Sequence, residues 1–336
     1  MNKKDQKISD LISEVNDKKP IFTAGPASLV YENISGLKNC FGRGDSDYDK
    51  TETTVLKLLL EMSGHSKIAR LQGSASLALE IMITNFAYGK VLIINSGYYS
   101  DRLHAMCQSA KKQYKNITEI KHIDWTNLHE VDGRFDWIVS CYTETSNGIL
   151  VPVEKLKSLA DKTSAKLMLD ATASIGLQSN HDLSDVLAYS SCKGLFGLTG
   201  ASFIAFNDMP TNEIDSFYLN LASHLEKKMT GPYHSICSLI DVLKDHENFK
   251  QAVIENKEKF LNIASDWLVQ PKKFQPILCT YTSANVRAMN SNTILYYPRS
   301  IESGSVVCHL GEVHLGKNAK GEIYKNIEVY NEKSDG

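Results

Sequence analysis

The chain has 336 residues, of which 42% are hydrophobic, 23% charged and 9% aromatic, a composition that allows a sizeable buried core and excludes a disulfide-stabilised miniprotein or a mostly disordered chain. Lysine and arginine number 37 against 39 aspartates and glutamates, for a net charge of -2, so the protein lacks the basic field that a nucleic-acid partner requires. The seven cysteines form no C-x-x-C pair, which is typical of reduced thiols in the cytoplasm.

The first twenty residues predict a helical arm. Their apolar residues recur at helical spacing between charges: Ile8, Leu11, Ile12 and Val15. The segment has no continuous apolar stretch like that of a signal peptide, and runs such as VLII at 91–94 are far shorter than the ~20 residues of a membrane helix. We therefore expect a cytoplasmic protein without a membrane partner.

Strands and helices are predicted to alternate through the middle of the chain. An amphipathic helix is expected at 53–62, a buried helix after the small residues at 73–76, and further helices near 101–114 and 153–163. The predicted strands are KVLIIN (90–95), FDWIVSCY (135–142), AKLMLDA (165–171), DVLAYSS (185–191) and ASFIAFN (201–207). This alternation predicts an α/β fold with a mostly parallel central sheet and flanking helices, closed by the last of these strands.

The pattern changes after about residue 237. A long helix is predicted as far as residue 268, and short strands come after Pro271. They are TILYYP (293–298), SVVCHL (305–310) and EIYKNIEVY (322–330). We expect three segments, namely an N-terminal helical arm (1–20), a large α/β domain (21–240), and a linking helix with a small α+β domain (241–336).

Lys193 is a candidate nucleophile. It follows an apolar strand and lies in SSCKGLFGLTGASF, among small and hydroxyl residues with no other charge. Desolvation favours the neutral amine, which is the form that attacks a carbonyl to make a Schiff base. A solvated surface lysine is the alternative, and the position of Lys193 in the sequence does not decide between the two.

Two further features suit the same chemistry. Asp170 ends a predicted strand at the carboxyl edge where α/β sheets place ligand crevices, and it could pair with a protonated pyridinium nitrogen or simply form a turn or a helix cap. Residues 73–76 precede a helix and could hold a phosphate or cap that helix. A phosphate cradle, an acid for a ring nitrogen and a Schiff-base lysine are together what pyridoxal 5'-phosphate requires of a protein.

The sequence resembles the class V aminotransferases, a family of fold type I pyridoxal-phosphate enzymes. The resemblance extends over about two thirds of the chain and rests on the segments FTAGPASLV, LQGSASLALE, KVLIINSGYYSDR, TETSNGILVPVE, LMLDATASIG and YSSCKGLFGLTGASFIAF. Within that family, NCFGRGDSDYD at 39–49 is most similar to the 2-aminoethylphosphonate–pyruvate transaminases. The C-terminal domain is shorter than is usual for the family.

The resemblance implies a pyridoxal 5'-phosphate cofactor, a homodimer with shared sites and two catalytic residues, Lys193 as the Schiff-base lysine and Asp170 as the partner of the ring nitrogen. The resemblance also assigns residues to cofactor binding. Ser74, Ala75 and Ser76 would hold the phosphate, together with Ser235 from the other subunit. Tyr99 would stack on the ring, or Tyr98 if the alignment shifts by one residue, with Thr172 on the opposite ring face and Thr145 at the phenolic oxygen.

Two positions depart from the family pattern. Cys192 stands where a phosphate-binding glutamine is common, and a thiol is a weaker hydrogen-bonding partner than an amide. Val306 replaces the arginine that binds the α-carboxylate of the substrate, and valine cannot make that contact. Arg287 and Arg299 are the candidate replacements.

The activity implied is amino-group transfer between a small amine or amino acid and a 2-oxo acid such as pyruvate, with 2-aminoethylphosphonate as the nearest named donor. Because of Val306, a pyridoxal-phosphate lyase or decarboxylase remains an alternative. A non-catalytic cofactor-binding homologue is the other, since it would also explain Cys192, Val306 and the shortened C-terminal domain. No segment has the full pattern of a calcium loop or a zinc site, so no metal is predicted.

Overall fold

The computed structural model describes residues 3–25, 29–37, 39, 42, 44–299, 303–314 and 321–330. Its helices are α1 (Lys3–Asp17), α2 (Tyr31–Ser35), α3 (Ser46–Ser63), α4 (Ala75–Phe86), α5 (Tyr98–Tyr114), α6 (Val153–Thr163), α7 (Leu221–Leu225), α8 (Tyr233–Lys244), α9 (His246–Ile263) and α10 (Gly311–His314). Its strands are β1 (Ile21–Phe22), β2 (Lys67–Gln72), β3 (Gly89–Asn95), β4 (Ile117–Asp124), β5 (Trp137–Cys141), β6 (Thr143–Glu144), β7 (Ile149–Leu150), β8 (Lys166–Asp170), β9 (Val186–Ser190), β10 (Ala201–Phe206), β11 (Cys279–Thr282), β12 (Asn285–Ala288), β13 (Ile294–Leu295), β14 (Ser305–Cys308) and β15 (Ile327–Tyr330). Parts of the segments FTAGPASLV and NCFGRGDSDYD, and residues 331–336 of the predicted small domain, lie outside the described residues.

A seven-stranded sheet in the order β2-β10-β9-β8-β5-β3-β4 forms the centre of the fold. The strands from β4 to β9 in that order pair in parallel, and β10 pairs antiparallel with both β9 and β2. Helices such as α4, α5 and α6 connect the strands and pack on the sheet. The predicted α/β fold with a mostly parallel central sheet is therefore confirmed.

Two strands of this sheet, β2 and β4, were not predicted from the sequence. The predicted strand β10 was expected at the edge of the sheet but lies inside it. β10 does not close the sheet, because β2 pairs along its outer side. β2 and β4 are edge strands. β4 has one buried side chain among eight, and one of the three buried residues of β2 is the charged Arg70. Neither strand therefore carries a strong hydrophobic pattern, and their sequences do not stand out.

The parallel arrangement gathers several loops at one edge of the sheet. Parallel strands point their carboxyl ends to the same side, so the residues directly after β3, β5, β8 and β9 emerge together. Gln72, at the end of β2, pairs with Ala201 at the start of β10, so the residues that lead into α4 reach the same edge. The loops at this edge contain most of the residues singled out by sequence.

The C-terminal part is built from short pieces. The predicted helix 237–268 is two helices, α8 and α9, separated at Asp245. The strands pair as β11 with β14, β12 with β15, and β1 with β13. Phe22 packs with Phe260 and Val307, so residues at the start of the predicted large domain contribute to a core made mostly by C-terminal residues.

The predicted N-terminal helix is α1, and none of its residues is buried. It contacts α2, and Asn16 donates a hydrogen bond to the carbonyl oxygen of Leu29 at 2.7 Å. Within the described ranges, no helix combines the length and apolar character needed to cross a membrane.

Buried histidines make the stability of the protein sensitive to acid. Burial lowers the pKa of His181 and His314 to about 4, whereas a histidine in the unfolded chain titrates near 6.5. The unfolded chain therefore binds protons that the folded chain does not as the pH falls through this window. We expect the free energy of unfolding to be steady above about pH 7 and to fall between about pH 6.5 and 4, with each such histidine contributing about 1.4 kcal/mol per pH unit.

Urea denaturation at a series of pH values measures this dependence. His181→Asn should reduce the slope in that window, and the matched variant of the exposed His129, His129→Asn, should leave it unchanged. A free energy of unfolding that stays flat from pH 6.5 to 4 would contradict the expectation.

Candidate active site

Lys193 lies in a tight turn after β9. The amide of Phe196 donates to the carbonyl oxygen of Lys193 at 2.9 Å, and the amide of Gly197 donates to that of Ser191 at 2.8 Å. A Cβ atom on Gly194 would lie 2.2 Å from the carbonyl oxygen of Ile175, so the turn requires glycine directly after the lysine. The half-buried Lys193 places its Nζ 5.6 Å from the ring centroid of Tyr99.

Asp170 ends β8 and is 3% exposed. Its Oδ1 accepts a hydrogen bond from the amide of Thr172 at 2.9 Å, which is the turn contact considered as the alternative to a cofactor role. Its Oδ2 lies 3.6 Å from a terminal nitrogen of Arg102. One carboxylate oxygen thus forms the turn and the other faces a cation across the site.

The start of α4 has the free groups that a phosphate needs. Ser74 is the N-cap residue of α4, but its side chain makes no capping hydrogen bond. Its exposed hydroxyl is therefore not engaged in helix capping, which was the alternative to a phosphate-binding role. The first turn of any helix also leaves backbone N–H groups without partners. Ser74, Ala75 and Ser76 therefore form a suitable anion cradle at the positive end of the helix dipole.

Tyr99, rather than Tyr98, is the aromatic residue beside Lys193. The Tyr99 ring contacts both Lys193 and the guanidinium of Arg102, whose carbon atom lies 4.8 Å from the ring centroid. Tyr98 instead accepts a hydrogen bond on its hydroxyl from Arg299 at 2.8 Å. The geometry therefore favours Tyr99 for stacking on a cofactor ring.

Glu144 holds the start of α5 in place and is fully buried. It accepts hydrogen bonds from the amides of Tyr99 at 3.0 Å, Ser100 at 3.2 Å and Ser146 at 3.1 Å. Burial raises the pKa of Glu144, and these donors oppose the rise. A Cβ atom on Gly97, which has φ of 144°, would lie 2.8 Å from the Ser146 hydroxyl, so this close approach requires glycine.

Several buried hydroxyls in the same region have no hydrogen-bonding partner among the described residues, and Oγ1 of Thr172, two positions after Asp170, is one of them. Thr145, directly after Glu144, interacts with the hydroxyl of Tyr296. Buried polar atoms normally find a partner. Orphaned hydroxyls, a free anion cradle, a lysine and a buried acid fit pyridoxal 5'-phosphate, and the residues present could hold it.

Four other residues named from the sequence lie nearby or in the C-terminal part. The Cys192 thiol lies 3.6 Å from the hydroxyl of Ser190, and the partly exposed Ser235 donates to the carbonyl oxygen of Thr199 at 2.8 Å. Arg287 is held by Glu328, with N–O distances of 2.8 and 2.7 Å. Val306 is buried in β14.

Sequence reasoning missed three residues of this region. Arg102 and Glu144 lie inside quoted segments, Arg102 one helical turn after Tyr99 and Glu144 directly before Thr145, but neither was singled out. Tyr296 comes from the C-terminal part, and burial raises its pKa, with Tyr99 among the groups that interact with it. Helical spacing from Tyr99 could have pointed to Arg102. No signal in the sequence pointed to Tyr296, because its contact is long-range.

No group of three or more histidine, cysteine, aspartate or glutamate side chains that could hold a metal is found in the described part of the chain.

The chain has relatives among known proteins, although no protein-family model matches it. It is similar to the 2-aminoethylphosphonate–pyruvate transaminase of Pseudomonas aeruginosa, with 26% identity over 69% of each chain. It is also similar to 2-aminoethylphosphonate–pyruvate transaminase 1 of Paraburkholderia xenovorans, with 22% identity over 67% of this chain and 64% of the relative.

Solved structures share its architecture. Alanine–glyoxylate aminotransferase from Nostoc sp. superposes with a TM-score of 0.75 at 18% identity, covering 91% of this chain and 92% of the other. A phosphoserine aminotransferase from Cytophaga hutchinsonii gives 0.74 at 16% identity, covering 92% and 97%. Pyridoxamine–pyruvate aminotransferase from Mesorhizobium loti gives 0.71 at 16% identity, covering 89% and 87%. The likeness establishes a common fold.

Proposed function

We propose that this chain, which has the fold of the fold type I pyridoxal-phosphate aminotransferases and homologues named as transaminases, is a pyridoxal-phosphate-dependent aminotransferase. It moves an amino group between a small amine or amino acid and a 2-oxo acid such as pyruvate. The observation that carries the proposal is the convergence of Lys193 and Asp170 on Tyr99 and Arg102, at one edge of the sheet.

Each residue has a distinct task in the proposed reaction. When bound, pyridoxal 5'-phosphate supplies an electron sink. Lys193 would hold the cofactor through its Nζ and would move the proton at the donor Cα through the same atom. Asp170 would hold a proton on the ring nitrogen.

The remaining residues bind and orient the cofactor. Tyr99 would stack on one face of the ring, and Thr172 would lie against the other. Thr145 donates a hydrogen bond to the phenolic oxygen. Ser74, Ala75 and Ser76 hold the phosphate through hydroxyl and backbone N–H groups. Cys192, next to Lys193, is a weaker phosphate partner than an amide would be.

A screen of amine donors with pyruvate or glyoxylate as acceptor tests this function. A transaminase converts the donor to an aldehyde or ketone and the acceptor to an amino acid in equal amounts. Release of carbon dioxide or of ammonia without transfer would support a lyase or decarboxylase, to which the missing arginine at Val306 points. Cofactor absorbance without turnover would support a non-catalytic homologue.

We propose that Arg299 binds the acidic group of the substrates. Arg299 is exposed, and its NH1 donates to the hydroxyl of Tyr98, which precedes the Tyr99 beside Lys193. Arg287 is already paired with Glu328. Since Val306 cannot bind a carboxylate, we expect α-amino acids such as alanine to be poor donors unless Arg299 supplies this contact. Donors that lack an α-carboxylate, such as 2-aminoethylphosphonate, should suffer less, which would place the enzyme in phosphonate metabolism.

We expect Arg299→Ala to raise the KM for the 2-oxo acid by about one to two decades, because a bidentate charged hydrogen bond contributes roughly 1.5 to 3 kcal/mol. Steady-state kinetics with a panel of donors and acceptors measures this. Arg287→Ala is the matched control, an exposed arginine from the same part of the chain whose pairing lies with Glu328. Efficient use of alanine that Arg299→Ala leaves untouched would refute this account of acid recognition.

We also propose that the protein is a cytoplasmic homodimer. The partly exposed Ser235, on the first turn of α8, supports the dimer, because its hydroxyl could reach the phosphate held by a second copy. The cysteines of the described residues are all free, which supports a reducing compartment. Light scattering measures the oligomeric state. Ser235→Ala should weaken cofactor binding if the sites are shared.

A further inference from the structure

We infer that Arg102 is a positioning residue of the cofactor site, which orients the carboxylate of Asp170 and the ring of Tyr99 before the cofactor binds. This inference rests on the proposed function, because it assigns Arg102 a role toward the same cofactor.

The guanidinium of Arg102 joins three segments of the site. Its NH2 lies 3.6 Å from Oδ2 of Asp170, at the end of β8. Its NH1 donates to the hydroxyl of Ser76, in the first turn of α4, at 3.2 Å. Its central carbon lies 4.8 Å from the ring centroid of Tyr99, on α5. One planar group therefore contacts the proposed ring-nitrogen partner, the proposed phosphate cradle and the proposed stacking residue.

The charge of Asp170 explains why a cation is needed here. Asp170 is 3% exposed, and a buried carboxylate is costly unless a cation or hydrogen-bond donors face it. Oδ1 receives the amide of Thr172, and Oδ2 has Arg102 as its ion-pair partner in the described structure. Arg102 thereby holds Oδ2 at a defined position while the ring nitrogen is absent.

The shape of the side chain matters as well as its charge. A guanidinium presents donors in a fixed plane, so it can serve Asp170 and Ser76 at once and still stack on an aromatic ring. A lysine offers a point charge and cannot make all three contacts together. The Nε of Arg102 is buried and has no hydrogen-bonding partner among the described residues, so the guanidinium retains a donor within the site.

The position of Arg102 on α5 links it to Tyr99. The two residues are three positions apart, on the same face of the helix, and the carboxylate of Glu144 accepts a hydrogen bond from the amide of Tyr99. Glu144 thus fixes the backbone of Tyr99, while Arg102 contacts its ring, which lies 5.6 Å from Nζ of Lys193. Loss of Arg102 should leave the backbones of Tyr99 and Asp170 where they are, but should let the Tyr99 ring and the Asp170 carboxylate change orientation.

The test compares Arg102→Met, Arg102→Lys and the control Arg134→Met, which removes an exposed arginine from a loop. Pyridoxal 5'-phosphate is titrated into the cofactor-free proteins by absorbance, and the circular dichroism of the bound cofactor band is measured per bound molecule. Arg102→Met should raise the dissociation constant about 10- to 100-fold and reduce the circular dichroism, since a ring held less firmly gives a weaker signal. Arg102→Lys should keep part of the affinity but lose circular dichroism, and Arg134→Met should match the wild type.

Thermal melting of the cofactor-free proteins separates this role from a structural one. A purely structural residue would lower the melting temperature and leave the circular dichroism of each bound cofactor unchanged, which overturns the inference. Wild-type affinity and circular dichroism in both Arg102 variants would also overturn it, while the proposed function would stand. If the wild-type protein bound no cofactor on Lys193, the proposed function would fail and the inference with it.

Discussion

Lys193→Ala is expected to abolish the visible absorbance of the cofactor-loaded protein and to reduce amino transfer by at least 10²- to 10⁴-fold, the usual contribution of a positioned acid and base. The reason is that, in the proposed function, Lys193 would both bind the cofactor covalently and move the proton at the donor Cα. The half-buried amine, beside the ring of Tyr99, is placed for both tasks. Absorbance spectra and single-turnover kinetics measure the two effects separately.

Borohydride reduction identifies the attachment site directly. After reduction and digestion, mass spectrometry should find the phosphopyridoxyl group on Lys193 in the wild-type protein and on no peptide of the variant. Lys155→Ala removes an exposed lysine and should keep the spectrum and the label. A label on another lysine, or on none, would show that the assignment of Lys193 is wrong.

Asp170→Ala is expected to weaken cofactor binding and to slow turnover by several orders of magnitude. A pyridine nitrogen without its proton is a poor electron sink, and in the proposed function the carboxylate at the end of β8 would hold that proton. Asp170→Asn should be nearly as harmful, because an amide keeps the turn contact with Thr172 but carries no charge. Cofactor titration and steady-state kinetics measure the two effects.

The comparison of the two variants separates the cofactor role from the turn role. If Asp170 served only to form the turn, Asn would restore activity while Ala would not. Near-normal rates in Asp170→Asn would mean that the residue serves only the turn, and near-normal rates in Asp170→Ala would mean that the site is wrongly assigned. Asp161→Ala, which removes an exposed carboxylate from a pair with Lys157, is the control and should change neither property.

The site was predictable to the extent that it depends on residues at the carboxyl end of each strand. Lys193 lies just beyond β9 and Asp170 ends β8, and parallel strands deliver such residues to one edge whatever the details of packing. The free anion cradle at Ser74 arises from small residues before a helix. These are local features, so a single sequence carries them, and the roles assigned to them remain predictions.

The edges of the fold were less predictable. β2 and β4 escaped prediction because β4 has a single buried side chain and β2 has the charged Arg70 among its three buried residues, so neither shows a strong apolar pattern. The C-terminal strands β11 and β12 are short, and their pairing with β14 and β15 depends on residues far along the chain. The predicted long helix breaks at Asp245, where a single residue separates α8 from α9.

The sequence by itself determined the alternating α/β fold, the order of the chemical groups and the candidates Lys193 and Asp170, because hydrophobic periodicity and residue type are written locally. Tertiary structure decided what depends on contact between distant segments. It placed Tyr99 rather than Tyr98 beside Lys193, engaged Arg287 with Glu328 while Arg299 reached Tyr98, and set Arg102 between Asp170 and Ser76. Each of these contacts joins side chains from segments that are far apart in the chain. The spacing of residues within one helix or strand specifies which face a side chain lies on, but not which distant side chain it contacts.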